Sequence, residues 1–364
     1  MRIRPVIALV AAATVLLAGC TTAGTPHASS SAVSAGPRVP LADLDILADP
    51  HAYEGPSTAL LADAQVSAPA TPPAQTLPAT ITSHDLAGDT SVTVTSTERI
   101  LAMDISGSIA ATVFGLGFGG SVVGRDISTT FPGTEDLPVI TSSGHTVNSE
   151  AILALRPTVL ITDGSVGPVD VVLQLRDAGV AVVFVDTEPS VAGVGDLAVQ
   201  VATALGAPAA GQSLADDLEA GIQAKVAEIA AIVPQGQPLR MLFLYLRGTS
   251  GIYYLFGEES GADVLIRSLG GIDVAAEIGL NGMRPMTDEA MVAANPDLIL
   301  VMTDGIASVG GVDGLLESKP AIALTSAGQH RRFVDMADGE ILAFGPRTAD
   351  VLDALARAVY APGQ

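Results

Sequence analysis

Tyr245 and Arg247 are the side chains of this sequence with the clearest coordination chemistry. They stand two positions apart at the end of an apolar stretch, Leu239 to Leu246, that is typical of a buried strand. Side chains at positions i and i+2 of a strand point to the same face, so the guanidinium should lie beside the phenol. A phenol ionises near pH 10, and a neighbouring cation favours the phenolate, the form that binds ferric iron. The spacing therefore predicts a site for Fe(III) or a ferric complex.

His145 is the second candidate ligand, in a loop that leads into a predicted helix. Three of the five histidines lie before residue 85, which leaves His145 and His330 in the body of the chain. Two histidines are too few for a histidine-rich zinc or manganese site. His145 and Tyr245 together could instead supply two ligands to one iron.

Glu150 and Glu289 occupy equivalent positions of an internal repeat, 139 residues apart. Each follows a residue suited to cap a helix, Asn148 or Thr287, and each has a proline seven positions later, before an apolar strand and a Thr-Asp-Gly sequence. The repeat predicts two lobes of similar fold. Two roles for the glutamates stay open: they complement helix dipoles, or they form paired charges that dock on a two-fold partner.

Cys20, the single cysteine, excludes an intramolecular disulfide or a cysteine zinc cluster. Arg2 and Arg4 precede an apolar stretch, and the sequence Leu-Ala-Gly-Cys ends at Cys20. Residues 1–19 thus resemble a bacterial lipoprotein signal, which implies cleavage before Cys20, acylation of its thiol and anchoring on the extracytoplasmic face of the cell membrane. The alternative is an ordinary secretory signal that is cleaved elsewhere.

The charge balance of the chain argues against nucleic-acid binding. Its 39 acidic and 17 basic residues give a formal net charge of −22, so electrostatic attraction to phosphate is missing. Hydrophobic residues make up 48% of the sequence, but they come in runs much shorter than the ~20 residues that span a bilayer. Short apolar runs of this kind are typical of buried parallel strands.

The order of the predicted elements indicates an α/β protein of two Rossmann-like lobes. Residues 20–82 are rich in Ala, Pro, Ser and Thr, and we expect a lipid-anchored tether without a core of its own. Residues 41–61 are more apolar than the rest, and a turn at 54–57 could dock on the body of the protein. Strands alternate with helices over residues 83–208 and again over residues 234–364. Between them, residues 209–233 have the periodicity of one long helix, which either links the two lobes or covers one of them.

These features resemble the substrate-binding lipoproteins of ABC importers for iron complexes, haem and cobalamin. The resemblance covers residues 92–359 and is carried mainly by the two segments that contain Glu150 and Glu289. It implies a class III periplasmic binding protein fold, with two Rossmann-like lobes joined by a single long helix, and a monomer. It also implies that the two glutamates dock on arginines of the permease dimer.

Within that family the chain is similar to HmuT-type haemin-binding lipoproteins. The resemblance implies that His145 and Tyr245 are the axial ligands of haem iron and that Arg247 hydrogen-bonds the tyrosine. Arg284 occupies the repeat position of His145 and could reach a haem propionate. Its neighbours Met283 and Met286 could pack on the porphyrin, or they could belong to the core.

Two alternatives to haem transport stay open. An Fe(III)-siderophore or cobalamin carrier of the same family would use Arg247, Arg284 and Arg347, and a scaffold lipoprotein would use the acidic surface. An enzyme is not expected. The sequence Gly-x-Gly-x-x-Gly at 115–120 matches a dinucleotide fingerprint in letters, but it follows a predicted helix, whereas the fingerprint requires a preceding strand.

Overall fold

The computed structural model describes residues 35–142 and 145–364. The predicted signal at 1–19 and Cys20 lie outside these residues. The described chain forms two lobes, each built on parallel strands with helices around them. The predicted α/β fold class, with two lobes and one long connecting helix, is confirmed.

The N-terminal lobe is built on a parallel sheet in the order β4-β7-β8, and the antiparallel pair β2-β3 packs beside it. Successive residues of β4 enter different apolar clusters, Ile100 and Ala102 on one face and Leu101 and Met103 on the other. The sheet is therefore covered on both faces, as its near-continuous apolar strands require. The elements that follow the short N-terminal strand β1 (Ser57–Ala59) are β2 (Ala79–Ser83), β3 (Thr90–Val94), β4 (Ile100–Met103), α1 (Ser108–Gly115), β5 (Thr141–Ser142), β6 (Thr146–Val147), α2 (Ser149–Ala154), β7 (Val159–Thr162), α3 (Val169–Gln174), β8 (Ala181–Phe184) and α4 (Val191–Ala204).

The long helix α5 (Pro208–Ile232) joins the lobes. Its 25 residues span ~37 Å at ~1.5 Å per residue. Leu214, near its start, packs on the core of the N-terminal lobe, whereas Ile222 and Ile229 are buried in the core of the C-terminal lobe. The helix is therefore shared between the lobes, and of the two roles considered for it the structure supports the link.

The C-terminal lobe carries a seven-stranded sheet in the order β1-β14-β13-β9-β10-β12, with β11 paired to β9. Strands β1, β14, β13 and β9 run parallel, and β10 and β12 are antiparallel to their neighbours. Its elements are β9 (Arg240–Arg247), β10 (Ile252–Phe256), α6 (Ala262–Ser268), β11 (Ile272–Asp273), α7 (Val274–Glu277), β12 (Met283–Pro285), α8 (Asp288–Ala294), β13 (Leu298–Met302), α9 (Thr303–Ala307), α10 (Gly311–Ser318), α11 (Pro320–Ala323), α12 (Ser326–Gln329), β14 (Phe333–Met336) and α13 (Thr348–Tyr360).

Residues 35–82 differ from the tether that their composition predicts, because they pack along both lobes. Strand β1 extends the C-terminal sheet beside β14, and Leu41, Leu61 and Ala64 are buried in that lobe's core. The segment then crosses to the N-terminal lobe, where Gln75 Nε2 donates to Leu205 O at 2.6 Å. The segment has no core of its own, but it gains strand hydrogen bonds from β14 and apolar contacts from the core of the C-terminal lobe.

Buried arginines of the C-terminal lobe hold this N-terminal segment in place. Arg332, which is 1% exposed, donates to Ser57 Oγ at 2.9 Å, and Arg357 donates to Val39 O at 2.8 Å. Burial lowers the pKa of Arg332 to about 10, which still leaves it charged at neutral pH. These hydrogen bonds tie the main chain and a hydroxyl of the N-terminal segment to the C-terminal lobe.

The internal repeat is visible in the structure as two equivalent helix and strand units. Asn148 Oδ1 accepts from Ala151 N at 3.0 Å at the start of α2, and Thr287 Oγ1 accepts from Ala290 N at 3.1 Å at the start of α8. Both predicted N-caps are therefore confirmed. The two Thr-Asp-Gly sequences differ, however: Thr162 ends β7, whereas Thr303 begins helix α9.

Candidate functional site

The candidate site lies where the N-terminal lobe faces the carboxyl end of β9. His145 immediately precedes β6, the strand that pairs with β5, and its backbone has a φ of +59°. Among non-glycine residues, histidine is one of those enriched in this left-handed region. His145 lies outside the helices and strands, shortly before α2, as the sequence predicts.

The electrostatics of His145 show that the C-terminal lobe is close to it. Burial lowers the pKa of His145, and the positive charge of Arg247 lowers it further. Its Nδ1 is buried without a hydrogen-bond partner among residues 35–142 and 145–364. The imidazole is thus kept neutral next to a cation of the opposite lobe, and a neutral imidazole is the form that binds a metal.

Tyr245 and Arg247 lie on the same face of β9, as their spacing predicts. The guanidinium carbon of Arg247 is 4.6 Å from the centroid of the Tyr245 ring, a cation–π contact. On its other side the Tyr245 ring stacks on Phe256 at 5.7 Å between centroids. The phenol is half-buried, and its ring is fixed between an aromatic and a cation.

Arg247 is bound differently from what the family resemblance implies. Its Nη2 donates to Asp338 Oδ2 at 2.5 Å, and its Nη1 donates to Leu246 O at 3.0 Å. Within the described part of the chain, its hydrogen bonds do not include one to the Tyr245 hydroxyl. Arg247 therefore supports the tyrosine in this structure through ring contact and charge.

Asp338 is a site residue that sequence reasoning missed. It follows β14 in a loop at the carboxyl ends of the parallel strands, and its Oδ1 accepts from Asp304 N at 2.9 Å. Burial raises the pKa of Asp338, and the charge of Arg247 opposes that shift. The position of an acid just after a buried strand was the available signal, since ligand sites of α/β folds gather at that edge.

Ile105 is a second missed residue, at the equivalent edge of the N-terminal lobe. Its side chain is 56% exposed, although both of its main-chain groups are held: Ser165 Oγ accepts from its N–H at 2.9 Å, and Ser128 Oγ donates to its carbonyl at 2.7 Å. Ser128 O also lies against Gly339, where an added Cβ would stand 2.9 Å away. Ile105 is therefore an exposed apolar side chain fixed near the contact between the lobes.

Two buried carboxyl groups support the loop that holds Ile105. Asp104 Oδ1 accepts from Ile109 N at 3.0 Å, and Asp126 Oδ2 accepts from Asp104 N at 3.0 Å. Burial, together with the charge of Asp163, raises the pKa of Asp104 to about 6. Burial and the charge of Asp104 raise the pKa of Asp126 to about 7.

Asp126→Asn should make the stability of the protein less sensitive to pH. Between about pH 4 and pH 7 the folded chain holds a proton on Asp126 that the unfolded chain releases, so the associated stability is present at low pH and lost as the pH rises through about 7. Thermal melting at pH 5 and pH 8 checks this. We expect the melting temperature of the wild-type protein to fall more than that of the variant between these values; equal changes would contradict the linkage.

The three predicted pocket residues of β12 and its loop do not share one surface. Met283 is 60% exposed and pairs across the strands with Phe256, which pairs with Phe243, so Met283 lies on the same face of the sheet as Tyr245. Arg284 is the next residue of the strand and points to the opposite face. Met286 packs on the core of that opposite face, against the cluster that contains Met291. Of the three, only Met283 lies on the face of Tyr245.

Glu150 and Glu289 lie in the first turns of α2 and α8, and both are exposed. Neither carboxylate forms an ion pair or hydrogen bond within the described residues. The repeat therefore places one free acidic side chain on the surface of each lobe.

The described residues lack two further features, a cluster of metal ligands and a membrane-spanning helix. Residues 35–142 and 145–364 contain no group of three or more His, Cys, Asp or Glu side chains arranged to hold a metal ion. No helix among these residues has the length and apolar character that crossing a membrane requires.

Solved structures similar to this chain include several haem-binding proteins. The structure of heme binding protein HmuT is 39% identical with a TM-score of 0.80, covering 86% of this chain and 99% of that one. The apo form of the periplasmic heme-binding protein RhuT from Roseiflexus sp. RS-1 is also 39% identical, with a TM-score of 0.66, and covers 74% of this chain and 100% of that one.

The sequence comparisons agree with the structural ones. An uncharacterized ABC transporter substrate-binding lipoprotein of Bacillus subtilis (strain 168), YvrC, is 25% identical over 250 residues, 68% of this chain and 76% of the relative. The family model described as periplasmic binding protein matches residues 105–338, which contain both lobes' central strands and the linking helix. That family consists of binding proteins, in agreement with the expectation that the chain is not an enzyme. The chain belongs to the periplasmic binding protein family.

Proposed function

We propose that this protein binds ferric haem between its two lobes and delivers it to an ABC importer. The proposal is supported by the effect of the Arg247 charge on His145 of the other lobe, since Arg247 also contacts the Tyr245 ring. An imidazole and a phenolate on opposite lobes could ligate the two sides of a haem iron. Ile105 and Met283 would supply exposed apolar surface for the porphyrin.

The related structures support haem as the ligand. Besides HmuT and RhuT, the periplasmic heme-binding protein BhuT, crystallised with two hemes, is 32% identical over 72% of this chain with a TM-score of 0.62. HmuT was also crystallised as variants in which a histidine, a tyrosine or an arginine is replaced by alanine, and the tyrosine precedes the arginine by two positions. Tyr245 and Arg247 have the same spacing.

The proposed delivery places the protein outside the cytoplasm, anchored by lipid on Cys20 and acting as a monomer. The lipoprotein character of the Bacillus relative and the signal-like residues 1–19 support this location. Glu150 and Glu289 would meet arginines of the permease dimer, one from each lobe. Paired charges on paired lobes suit a partner with two-fold symmetry.

Absorbance spectroscopy of the purified protein with added haemin tests the proposed ligand. We expect a Soret band shifted from that of free haemin, saturating at one haem per chain, because ligation by histidine and tyrosinate changes the iron's electronic environment. A protein that leaves the haemin spectrum unchanged but binds a ferric siderophore or cobalamin would favour the alternative carrier function, which the family also accommodates. Binding of none of the three would refute transport of an iron complex or cobalamin.

Arg247→Leu should weaken haem binding more at pH 6 than at pH 9. The variant lacks the cation that favours an iron-bound phenolate, and the pKa of His145 rises because one cause of its lowering is gone. Protonation of His145 then competes with iron at higher pH than in the wild-type protein. Haemin titrations at several pH values measure the difference in affinity.

Arg284→Leu is the matched control for Arg247→Leu, since it removes the same charge from the opposite face of the sheet. We expect it to leave affinity and its pH profile nearly unchanged. A loss for Arg247→Leu that is the same at pH 6 and pH 9 would contradict the charge effect, even if the affinity itself falls.

A further inference from the structure

An exposed apolar residue follows each of the two glutamates at the same position of the repeat. Leu153 is 42% exposed on α2, three residues after Glu150, and Val292 is 48% exposed on α8, three residues after Glu289. Residues three apart on a helix lie on one face, so each carboxylate and its apolar neighbour form one surface. A single exposed Leu or Val is common on a protein surface, but its recurrence beside the glutamate of each lobe gives the two lobes matching surfaces.

The two helices are fixed in their orientations by the same contacts. Between the glutamate and the exposed residue stands a fully buried side chain, Ile152 in α2 and Met291 in α8. At the far end of each helix an arginine at the start of the neighbouring parallel strand donates to a carbonyl: Arg99 to Leu155 O at 2.7 Å, and Arg240 to Ala294 O at 2.9 Å. Anchoring at the core and at the end leaves each helix little freedom to bury its exposed face.

The chain leaves both helices in the same way. Arg156 and Asn295 both have left-handed backbones, with φ of +47° and +39°. The N–H of the residue two positions later bonds to the carbonyl of Arg99 in one lobe, at 2.9 Å, and to that of Arg240 in the other, at 2.7 Å. The backbones that follow α2 and α8 therefore share a left-handed residue and a hydrogen bond to the arginine carbonyl, although their sequences differ.

We propose that Glu150 with Leu153 and Glu289 with Val292 form the two halves of one docking surface for a two-fold symmetric protein. Each half of the partner would offer an arginine to the carboxylate and an apolar depression to the neighbouring side chain. The inference rests on the proposed function, in which that partner is the permease dimer. It adds the apolar anchors to the acidic residues, because a buried apolar contact contributes affinity that a salt-screened surface ion pair does not.

Binding of the apo and haem-loaded protein to the permease dimer in lipid nanodiscs tests this surface. We expect Leu153→Gln and Val292→Gln each to weaken binding about tenfold, a loss of about 1.4 kcal/mol. Because Gln carries no charge, the loss should be the same in 50 mM and 500 mM NaCl, whereas a loss from Glu150→Arg should shrink at high salt. Leu153→Met and Val292→Ile should keep nearly full affinity.

Leu86→Gln is the matched control, since Leu86 is 79% exposed in the turn between β2 and β3, away from both helices. Haem titration and thermal melting of every variant verify the fold. The proposal is overturned if the Gln variants bind the permease like the control, or if only one of the two positions matters. Absence of a haem spectrum in the wild-type protein would refute the proposed ligand, but the apo-protein measurement would still test the surface.

Discussion

Tyr245→Phe should nearly abolish ferric haem binding, with a larger loss of affinity than His145→Ala. Of the two proposed ligands only the phenolate carries a negative charge that offsets Fe(III), and the cation of Arg247 lies 4.6 Å from its ring. Phe keeps the stacking on Phe256 and removes one oxygen. We expect the loss to exceed the roughly 10- to 100-fold that removal of an outer partner of a metal ligand typically costs.

Haemin titration followed at the Soret band measures both losses. Tyr253→Phe is the matched control. Tyr253 lies next to Tyr254, the cross-strand partner of Tyr245, and its side chain is on the opposite face of the sheet, in contact with Lys319. Unchanged affinity and spectra in both Tyr245→Phe and His145→Ala would refute the proposed ligation. A larger loss for His145→Ala than for Tyr245→Phe would place the stronger bond on the N-terminal lobe.

Reversal of both Glu150 and Glu289 to Arg should stop haem delivery while haem binding persists. Both side chains are exposed and unpaired within the described residues, so their reversal leaves the pocket and the core intact. Against arginines of a permease, the new charges create like-charge contacts that cost several kcal/mol at an interface. Haem-dependent growth should fail although the purified variant still shows its Soret band, and each single reversal should give a partial defect.

A double reversal of Asp177 and Asp217 controls for the change in net charge. Both are exposed, Asp177 after α3 and Asp217 on the linking helix, and neither belongs to the repeated helices. The control should grow normally on haem. Normal growth of the Glu150 and Glu289 variant would remove these residues from the docking surface, and loss of its Soret band would instead place them in the pocket.

The N-terminal segment shows where composition alone misleads. Residues 35–82 are rich in Ala, Pro, Ser and Thr, and this composition predicts a tether for most of them. Leu41, Leu61 and Ala64 are nevertheless buried, because the C-terminal lobe presents an open strand edge at β14 and buried arginines that reach the segment's oxygens. The energy that orders the segment comes from residues about 280 positions away, such as Arg347 with Ala64, which no local pattern contains.

Features that depend on neighbours a few residues apart could be predicted from the amino-acid sequence. Periodicity predicts the linking helix, the caps of α2 and α8 follow from Asn148 and Thr287, and the two-residue spacing puts Tyr245 and Arg247 on one face. The repeat, read from two short segments, predicts the two lobes. These features need only helix and strand geometry, which adjacent residues fix.

Which side chains lie beside Tyr245 and Arg247 depends on contacts between distant parts of the chain. Arg247 pairs with Asp338, which is 91 residues away, and strand pairing turns Arg284 to the far face of the sheet and Met286 into the core. The repeat predicts an equivalent position for Arg284, but the two lobes differ there: His145 sits in a turn, and Arg284 sits in a strand that joins the edge of a sheet. Side-chain direction and burial follow from contacts that form only when distant segments of the chain meet, so spacing within one segment could not specify them.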